Sequence, residues 1–322
     1  MLKIIRTAFM GAITLCGAVA MAQDMYPNRM IKMIVPYGPG ATTDLMARLV
    51  AQKVSDDLKQ PVIVENRAGA GGMIGSDFVA KSVADGYTIL LATDGTHTGN
   101  PFLMKKFPFH AVNDVTPISL GAKNIMALVA NPSVPVKNVR ELIDYAKKNP
   151  GTLSYGSSGN GSPHHLAGIL FNQMAGTDIV HVPYKGGGPS VVDVLGGQIP
   201  LAYASLATVM PYLQSGKLHL LGITEKKRAA EFPTLPTVAE TLPGFEMDSW
   251  LGFVGPAHLP AAVLEKLNHS ITKALKDPAV AKKLNEGGLL VVASTPKEFG
   301  DQLRSDYEKR GRMIQQNNIK LD

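Results

Sequence analysis

Short apolar runs alternate with helical periodicities along nearly the whole chain, and most of the runs end in a polar, glycine-rich loop. "IKMIVPY" (Ile31–Tyr37) has the apolar density of a buried strand. The stretch from Thr43 to Leu58 follows with apolar residues at helical spacing, Leu45, Leu49, Val54 and Leu58 among them. "PVIVEN" reads as a second strand, "GSDFVAKSV" as a helix and "YTILLAT" as a third strand, closed by the polar loop "DGTHTGNP". A βαβαβ order of this kind predicts a parallel sheet with right-handed crossovers.

The pattern then restarts. Strands "ALVAN" and "LSYGSS" flank the helix "VRELIDYAKKN", which stops at Asn149-Pro150-Gly151. A helix from Pro163 to Met174 follows, and then strands "IVHVPY", "IPLAYA" and "LHLLGIT" with helices between them. After "SWLGFVGP" come three more helices, too little sheet for a domain of its own, so this tail is expected to return to the first unit. The expected division is residues 1–22 as a leader, 23–122 with 248–322 as lobe 1, and 123–247 as lobe 2, each a mostly parallel sheet flanked by helices. With 322 residues, 45% hydrophobic and 18% charged, the chain is long enough to bury two cores.

The leader has the three parts of a secretory signal peptide: Lys3 and Arg6, an apolar run from Ala8 to Ala20, and Ala20-Met21-Ala22 before Gln23. Cleavage there removes Cys16, which leaves no cysteine for disulfide or thiol chemistry. It also lowers the formal charge from +6 to +4 by removing Lys3 and Arg6. No later segment holds eighteen uninterrupted apolar residues. The densest basic cluster, Lys226-Lys227-Arg228, is short and followed by Glu231, so it reads as a solvated turn and no nucleic-acid partner is expected.

Five polar loops follow predicted strands: Pro36–Asp44, Thr93–Asn100, Gly156–His165, Tyr184–Ser190 and Tyr203–Thr208. In open α/β sheets ligands bind beyond the carboxyl ends of the strands. The richest loop, "YGSSGNGSPHH", fails every specific catalytic template. Ser162 stands where a phosphate loop requires Lys, and no G-x-G-x-x-G is present. Ser158 lacks the flanking glycines of a nucleophile elbow. His164 and His165 are adjacent at a helix start and point about 100° apart, which excludes a shared metal. What remains is anion binding by neutral donors. Ser162-Pro163 fits an N-cap followed by proline, and "ATTD" is a second such start, with Thr42 or Thr43 as cap. Asp44 is either a dipole-favourable first-turn acid or a ligand contact.

On these loops and their flanks the chain resembles the Bug/TctC family of extracytoplasmic solute receptors. The motifs that carry the resemblance are "IVPYGPGATTDLMARLVA", "PVIVENRAGAGGMIGSDFVAKSVADGYTILLATDGTH", "YGSSGNGSPHHLAGILF", "VPYKGGGPSVVDVLGGQIPLAY", "FPTLPTVAE" and "SWLGFVGPAHLPAAVLEKLN". The resemblance implies a two-lobed, type II-like periplasmic binding protein fold with the ligand cleft between lobes. It implies a small carboxylate ligand, no catalysis, no cofactor and no metal, and delivery to a large and a small integral membrane transporter subunit. A monomer is expected. By position, lobe 1 should contribute Tyr37, Ala41, Thr42, Thr93, Gly95 and Thr96. Lobe 2 should contribute Ser157, Gly159, Gly161, Ser162, His165, Tyr184, Tyr203 and Ser205. Lys185 is either a further anion contact or a solvated cation. Two departures from the family pattern stand out: Gly40-Ala41 where many members have two glycines, and Ala204 where many have an acid. The missing acid disfavours an amino-acid ligand. The rivals are an exported hydrolase using Ser158 or Ser162 with His165 or His97, and a receptor that signals to a membrane kinase.

Overall fold

The computed structural model describes residues 26–316 and 319–320; the expected leader and its Ala22–Gln23 boundary lie outside them. The chain begins β1 (Ile31–Val35), α1 (Thr42–Leu58), β2 (Val62–Asn66), α2 (Met73–Ala80) and β3 (Thr88–Thr93). Strand β1 pairs in parallel with both β2 and β3, as the βαβαβ order requires. Burial alternates along β1: Ile31, Met33 and Val35 enter one core and Ile34 the other, so helices cover both faces.

Beyond β3 the expected polar loop is instead a buried π-helical turn, Gly95–Gly99, that runs into α3 (Asn100–Leu103). A polar segment can be interior here because its side chains satisfy its own backbone. Thr96 Oγ1 donates to the Thr93 carbonyl at 2.8 Å and Thr98 Oγ1 to that of Asp94 at 2.7 Å.

Next comes β4 (Val115–Asn124), followed after one residue by β5 (Met126–Ala130), α4 (Val139–Lys148), β6 (Ser154–Ser157), α5 (Pro163–Ala175), β7 (Val180–Pro183), α6 (Gly187–Leu195), β8 (Leu201–Ser205), α7 (Leu206–Gln214) and β9 (His219–Ile223). The chain ends with β10 (Trp250–Pro256), α8 (Ala261–Leu275), α9 (Pro278–Glu286), β11 (Leu289–Val291) and α10 (Pro296–Gln316).

Two sheets result, ordered β11-β4-β10-β3-β1-β2 and β7-β6-β8-β5-β9. They are mixed, which corrects the expectation of mostly parallel sheets. The βαβ cores β2-β1-β3 and β7-β6-β8 are parallel. Strands β10 and β5 add antiparallel. The reason is topological: β4 and β10 are the strands through which the chain leaves and re-enters the six-stranded sheet, and they run side by side in opposite directions.

The two sheet units are joined at this pair of strands. Only Ile125 separates β4 from β5, and the Asn124 N–H bonds the Ser249 carbonyl at 2.9 Å. A further connection lies in α10. Its first half buries Phe299 and Leu303 in the core of the six-stranded unit, while Ile314 and, just beyond the helix, Ile319 pack in a core of the five-stranded unit.

Candidate functional site

Four helices start at the junction of the two units, and a cavity lies among their first turns. It is lined by Ala41, which precedes α1, Thr42 and Thr43 of α1, Pro163 and His164 of α5, Gly187 of α6, and Ser205, which precedes α7. Tyr37, Thr93, Asn124, Ser158, Ser249 and Leu251 complete the wall. No Lys, Arg, Asp or Glu is among the lining residues. The cavity offers about 40 Å³ to the centres of water-sized molecules, against about 10–15 Å³ for a single water. It therefore has room for a small molecule.

The helix ends leave donors unused. Every α-helix starts with N–H groups that have no intrahelical acceptor. Ser162 caps α5, accepting from the His165 N–H at 3.2 Å. The N-caps of α1, α6 and α7 (Ala41, Gly186 and Ser205) make no such side-chain bond. For α1 this corrects the expected cap: Thr42 and Thr43 lie inside the helix, and the Thr42 hydroxyl instead meets that of Thr208 across the units at 3.1 Å. Convergent N-termini concentrate partial positive charge and free donors on one point, which suits an anion.

Three lining residues also carry a buried polar atom with no hydrogen-bond partner among the described residues: Thr43 Oγ1, Asn124 Oδ1 and His164 Nε2. Buried polar groups are normally paired, so three unpaired atoms on one small cavity mark a place for a ligand. His164 bonds Ser158 Oγ through Nδ1 at 2.8 Å, and burial pushes its pKa down to about 4. Burial also pushes Tyr37 up to about 12, so its hydroxyl, 3.3 Å from Thr93 Oγ1, stays neutral. The wall is thus uncharged at neutral pH.

Of the residues picked from sequence, Tyr37, Ala41, Thr42, Thr93 and Ser205 line the cavity. The others do not line it. Thr96 braces Thr93, its hydroxyl accepting from the Thr93 N–H at 3.1 Å, and Gly95 lies against Pro163 at the unit boundary. Ser157 bonds His181 Nε2 at 2.7 Å and accepts from the Gly159 N–H at 3.0 Å. The Gly161 N–H donates to His165 Nδ1 at 3.1 Å, and His165 stacks on His181 with ring centroids 3.8 Å apart. Burial, reinforced by His181, pushes His165 down to about 3. These contacts fix the shape of the loop.

Tyr184 donates to Asp193 at 2.7 Å, and Tyr203 packs edge-on against Tyr155 with its hydroxyl buried and without a partner among the described residues. Asp44 serves the helix start. Burial pushes its pKa up, but Arg48, the Gly40 N–H and Asn66 together hold the carboxylate below its ordinary value. Lys185 is exposed, and its carbonyl accepts from the Gly38 N–H of the other unit at 3.4 Å.

Sequence reasoning missed Thr43, Asn124, Ser158, Pro163, His164, Gly187, Ser249 and Leu251 as wall residues. Asn124 had a signal: a lone amide between the apolar runs "ISLGA" and "IMALVA". Behind the wall, Ser249 Oγ donates to Asp94 Oδ1 at 3.0 Å, and Arg310 of α10 pairs with Asp94 Oδ2 at 3.2 Å. Burial pushes Asp94 up to about 7, against the pull of Arg310, Ser249 and the Trp250 N–H.

The pairings expected of a hydrolase, Ser158 or Ser162 with the His165 or His97 ring, are not the ones formed. Ser162 bonds the His165 backbone, His97 bonds Thr96 at 2.7 Å, and Ser158 bonds His164 Nδ1 at 2.8 Å, a pair whose Nε2 has no acidic partner among the described residues. Among the described residues no three His, Cys, Asp or Glu are grouped to hold a metal, and no helix is long and apolar enough to cross a membrane.

Known structures share this architecture. The periplasmic binding protein BugD is 32% identical with a TM-score of 0.87, covering 92% of this chain and 100% of its own. Rpa4515 of R. palustris, solved with adipate, is 32% identical with a TM-score of 0.88 over the same shares. MatC of Rhodopseudomonas palustris, with bound malate, is 28% identical with a TM-score of 0.85, covering 90% of this chain and 100% of its own. The model of the tripartite tricarboxylate transporter family receptor, TctC, matches residues 46–319. With the two-sheet fold and the cavity between the sheets, this places the chain in the TctC family of solute-binding receptors.

Proposed function

We propose that the protein is a periplasmic receptor that captures a small carboxylate, a di- or tricarboxylate or an aromatic acid, and hands it to the large and small membrane subunits of a tripartite transporter. Residues 1–22 direct export and are cleaved near Ala22-Gln23. The lobes 23–122 with 248–322 and 123–247 close around the ligand as a monomer, with no catalytic step. The observation that carries this reading is the uncharged cavity on which four helix N-termini converge, three without a side-chain cap. Neutral donors hold an anion there, and the cost of desolvating it is met by closure on both sides. Adipate in one related structure and malate in another support a carboxylate as the ligand class.

A thermal-shift screen over carboxylates tests it. A ligand bound only by the folded state at 100 times its Kd adds about 2.7 kcal/mol of stability. The reading predicts an upward shift with at least one carboxylate and none with its primary amide. A shift with sugars, cations or amines alone would refute it.

A further inference from the structure

Resting on the reading that this cavity binds a carboxylate, we propose that its ligand is a short hydroxycarboxylate, and that the Asn124 side chain reads the hydroxyl. The inference starts from a hydrogen-bond chain that runs in one direction. Asp94 is an acceptor at its far end: Arg310 donates to Oδ2, and Ser249 Oγ and the Trp250 N–H donate to Oδ1. The single proton of the Ser249 hydroxyl is therefore committed to Asp94. Its oxygen is left to accept, and it accepts from Asn124 Nδ2 at 3.2 Å. That fixes which way round the amide stands. The end without a partner is Oδ1, a pure acceptor on a residue that is 4% exposed and lines the cavity.

A carboxylate cannot satisfy this atom, since an acceptor facing an acceptor is repelled. The helix N-termini and hydroxyls around the rest of the wall are suited to the carboxylate. Asn124 Oδ1 asks for a donor on the same molecule. Two kinds of donor are common beside a carboxylate, an ammonium and a hydroxyl. An ammonium would be buried with no carboxylate among the lining residues to pair it, which is costly. A hydroxyl brings the donor without the charge. Its own oxygen can also accept, and the unpaired Thr43 Oγ1 and His164 Nε2 of the same wall offer hydrogen-bonding capacity in either direction. The small volume suits a short carbon chain. Asn124 is also the last residue of β4, at the crossing between the two units. A ligand that bonds it is held at the junction itself.

The test is calorimetry at about pH 8, above the pKa of Asp94, on matched acids that differ at one carbon. The sets are malate, succinate and aspartate, and lactate, propionate and alanine. The expected result is that the hydroxy acid of at least one set binds tenfold or more tighter than its deoxy partner, with the amino acid weakest. In Asn124→Ala and Asn124→Leu that advantage falls to threefold or less while the deoxy acid keeps its affinity. The ligand-free melting midpoint of each variant checks that it is folded. Should both variants fail to fold, Asn124→Ser, which keeps an oxygen on a shorter side chain, is expected to retain part of the advantage. Equal binding of hydroxy and deoxy acids, preference for the amino acid, or a parallel loss of both affinities in the variants would overturn the proposal while leaving carboxylate capture intact. Failure of every carboxylate in the wider screen would instead overturn the underlying reading.

Discussion

Replacing Gly71 with alanine should weaken ligand binding, which the same replacement at a left-handed glycine away from the junction should not. Gly71 lies before α2 with φ of 63°, and a Cβ there would stand inside 3.0 Å of the Asn160 carbonyl oxygen, which belongs to the opposite unit. That oxygen is backbone and cannot swing aside, so the two units have to draw apart locally. Two costs separate cleanly. The left-handed backbone costs alanine about 1–2 kcal/mol whether the units are together or apart. The clash exists only when they are together, and overpacking of this kind costs about 1–3 kcal/mol, a loss of about 5- to 150-fold in affinity. Gly151→Ala is the control: its φ is 70°, and nothing lies within 4 Å of the added Cβ. Calorimetry against the carboxylate found by screening should show Gly71→Ala weakened by that factor and Gly151→Ala unchanged, with similar drops in melting midpoint. Small-angle scattering should show ligand-induced compaction in the control and less in Gly71→Ala. Equal affinities in the two variants would refute closure across this contact.

The remaining expectations concern charge and the contacts behind the wall. Because burial holds His164 near pKa 4, affinity for an acid ionised throughout should not rise between about pH 6 and about pH 5, below the titration of Asp94; a rise there would reveal a cationic histidine in the site. Arg310→Met leaves Asp94 buried without its partner and should cost about 3–5 kcal/mol in urea unfolding, more above pH 7 than below it; a loss under about 1 kcal/mol would contradict a buried pair. Stability should fall on acidification between about pH 6.5 and about pH 4. His97, His164 and His165, all depressed, gain protons mainly when unfolded there, whereas Asp94 and Glu225, both raised to about 7, gain them when folded and offset only part of the loss. In His164→Gln this acid slope should flatten, and an unchanged slope would count against the assignment. Thr42→Val removes the 3.1 Å hydroxyl contact to Thr208 across the units and should weaken ligand binding by about 0.5–1.5 kcal/mol with a nearly unchanged ligand-free midpoint; equal affinity would place that contact outside closure.

What could be read from sequence follows from how local each cause is. The βαβ cores were legible because apolar runs such as Ile31–Val35 and helical spacing such as Thr42–Leu58 are set by neighbours a few residues away. The antiparallel insertion of β10 was not, since its partners Thr93 and Lys123 are more than a hundred residues distant. Strand β4 was overlooked because Thr116, Pro117, Ser119 and Lys123 break its apolar pattern. Around the cavity, loop chemistry pointed to segments that border it but not always to the residue that lines it. Ser162 was identified correctly as a cap, and for that reason its hydroxyl is occupied by the His165 N–H, while His164, next in line, lines the wall. Asn124 and Ser249 meet only because two crossing strands run side by side. No window of sequence contains that pairing.

The central claim is that a carboxylate sits among the first turns of α1, α5, α6 and α7 and is held there by neutral donors from both units. A crystal structure of the protein with its ligand tests this most directly. The account predicts carboxylate oxygens about 2.7–3.2 Å from backbone N–H or hydroxyl groups of both units, within the wall formed by Thr42, Thr43, Thr93, His164 and Ser205. A ligand paired with a lysine or arginine, or touching only one unit, would contradict it.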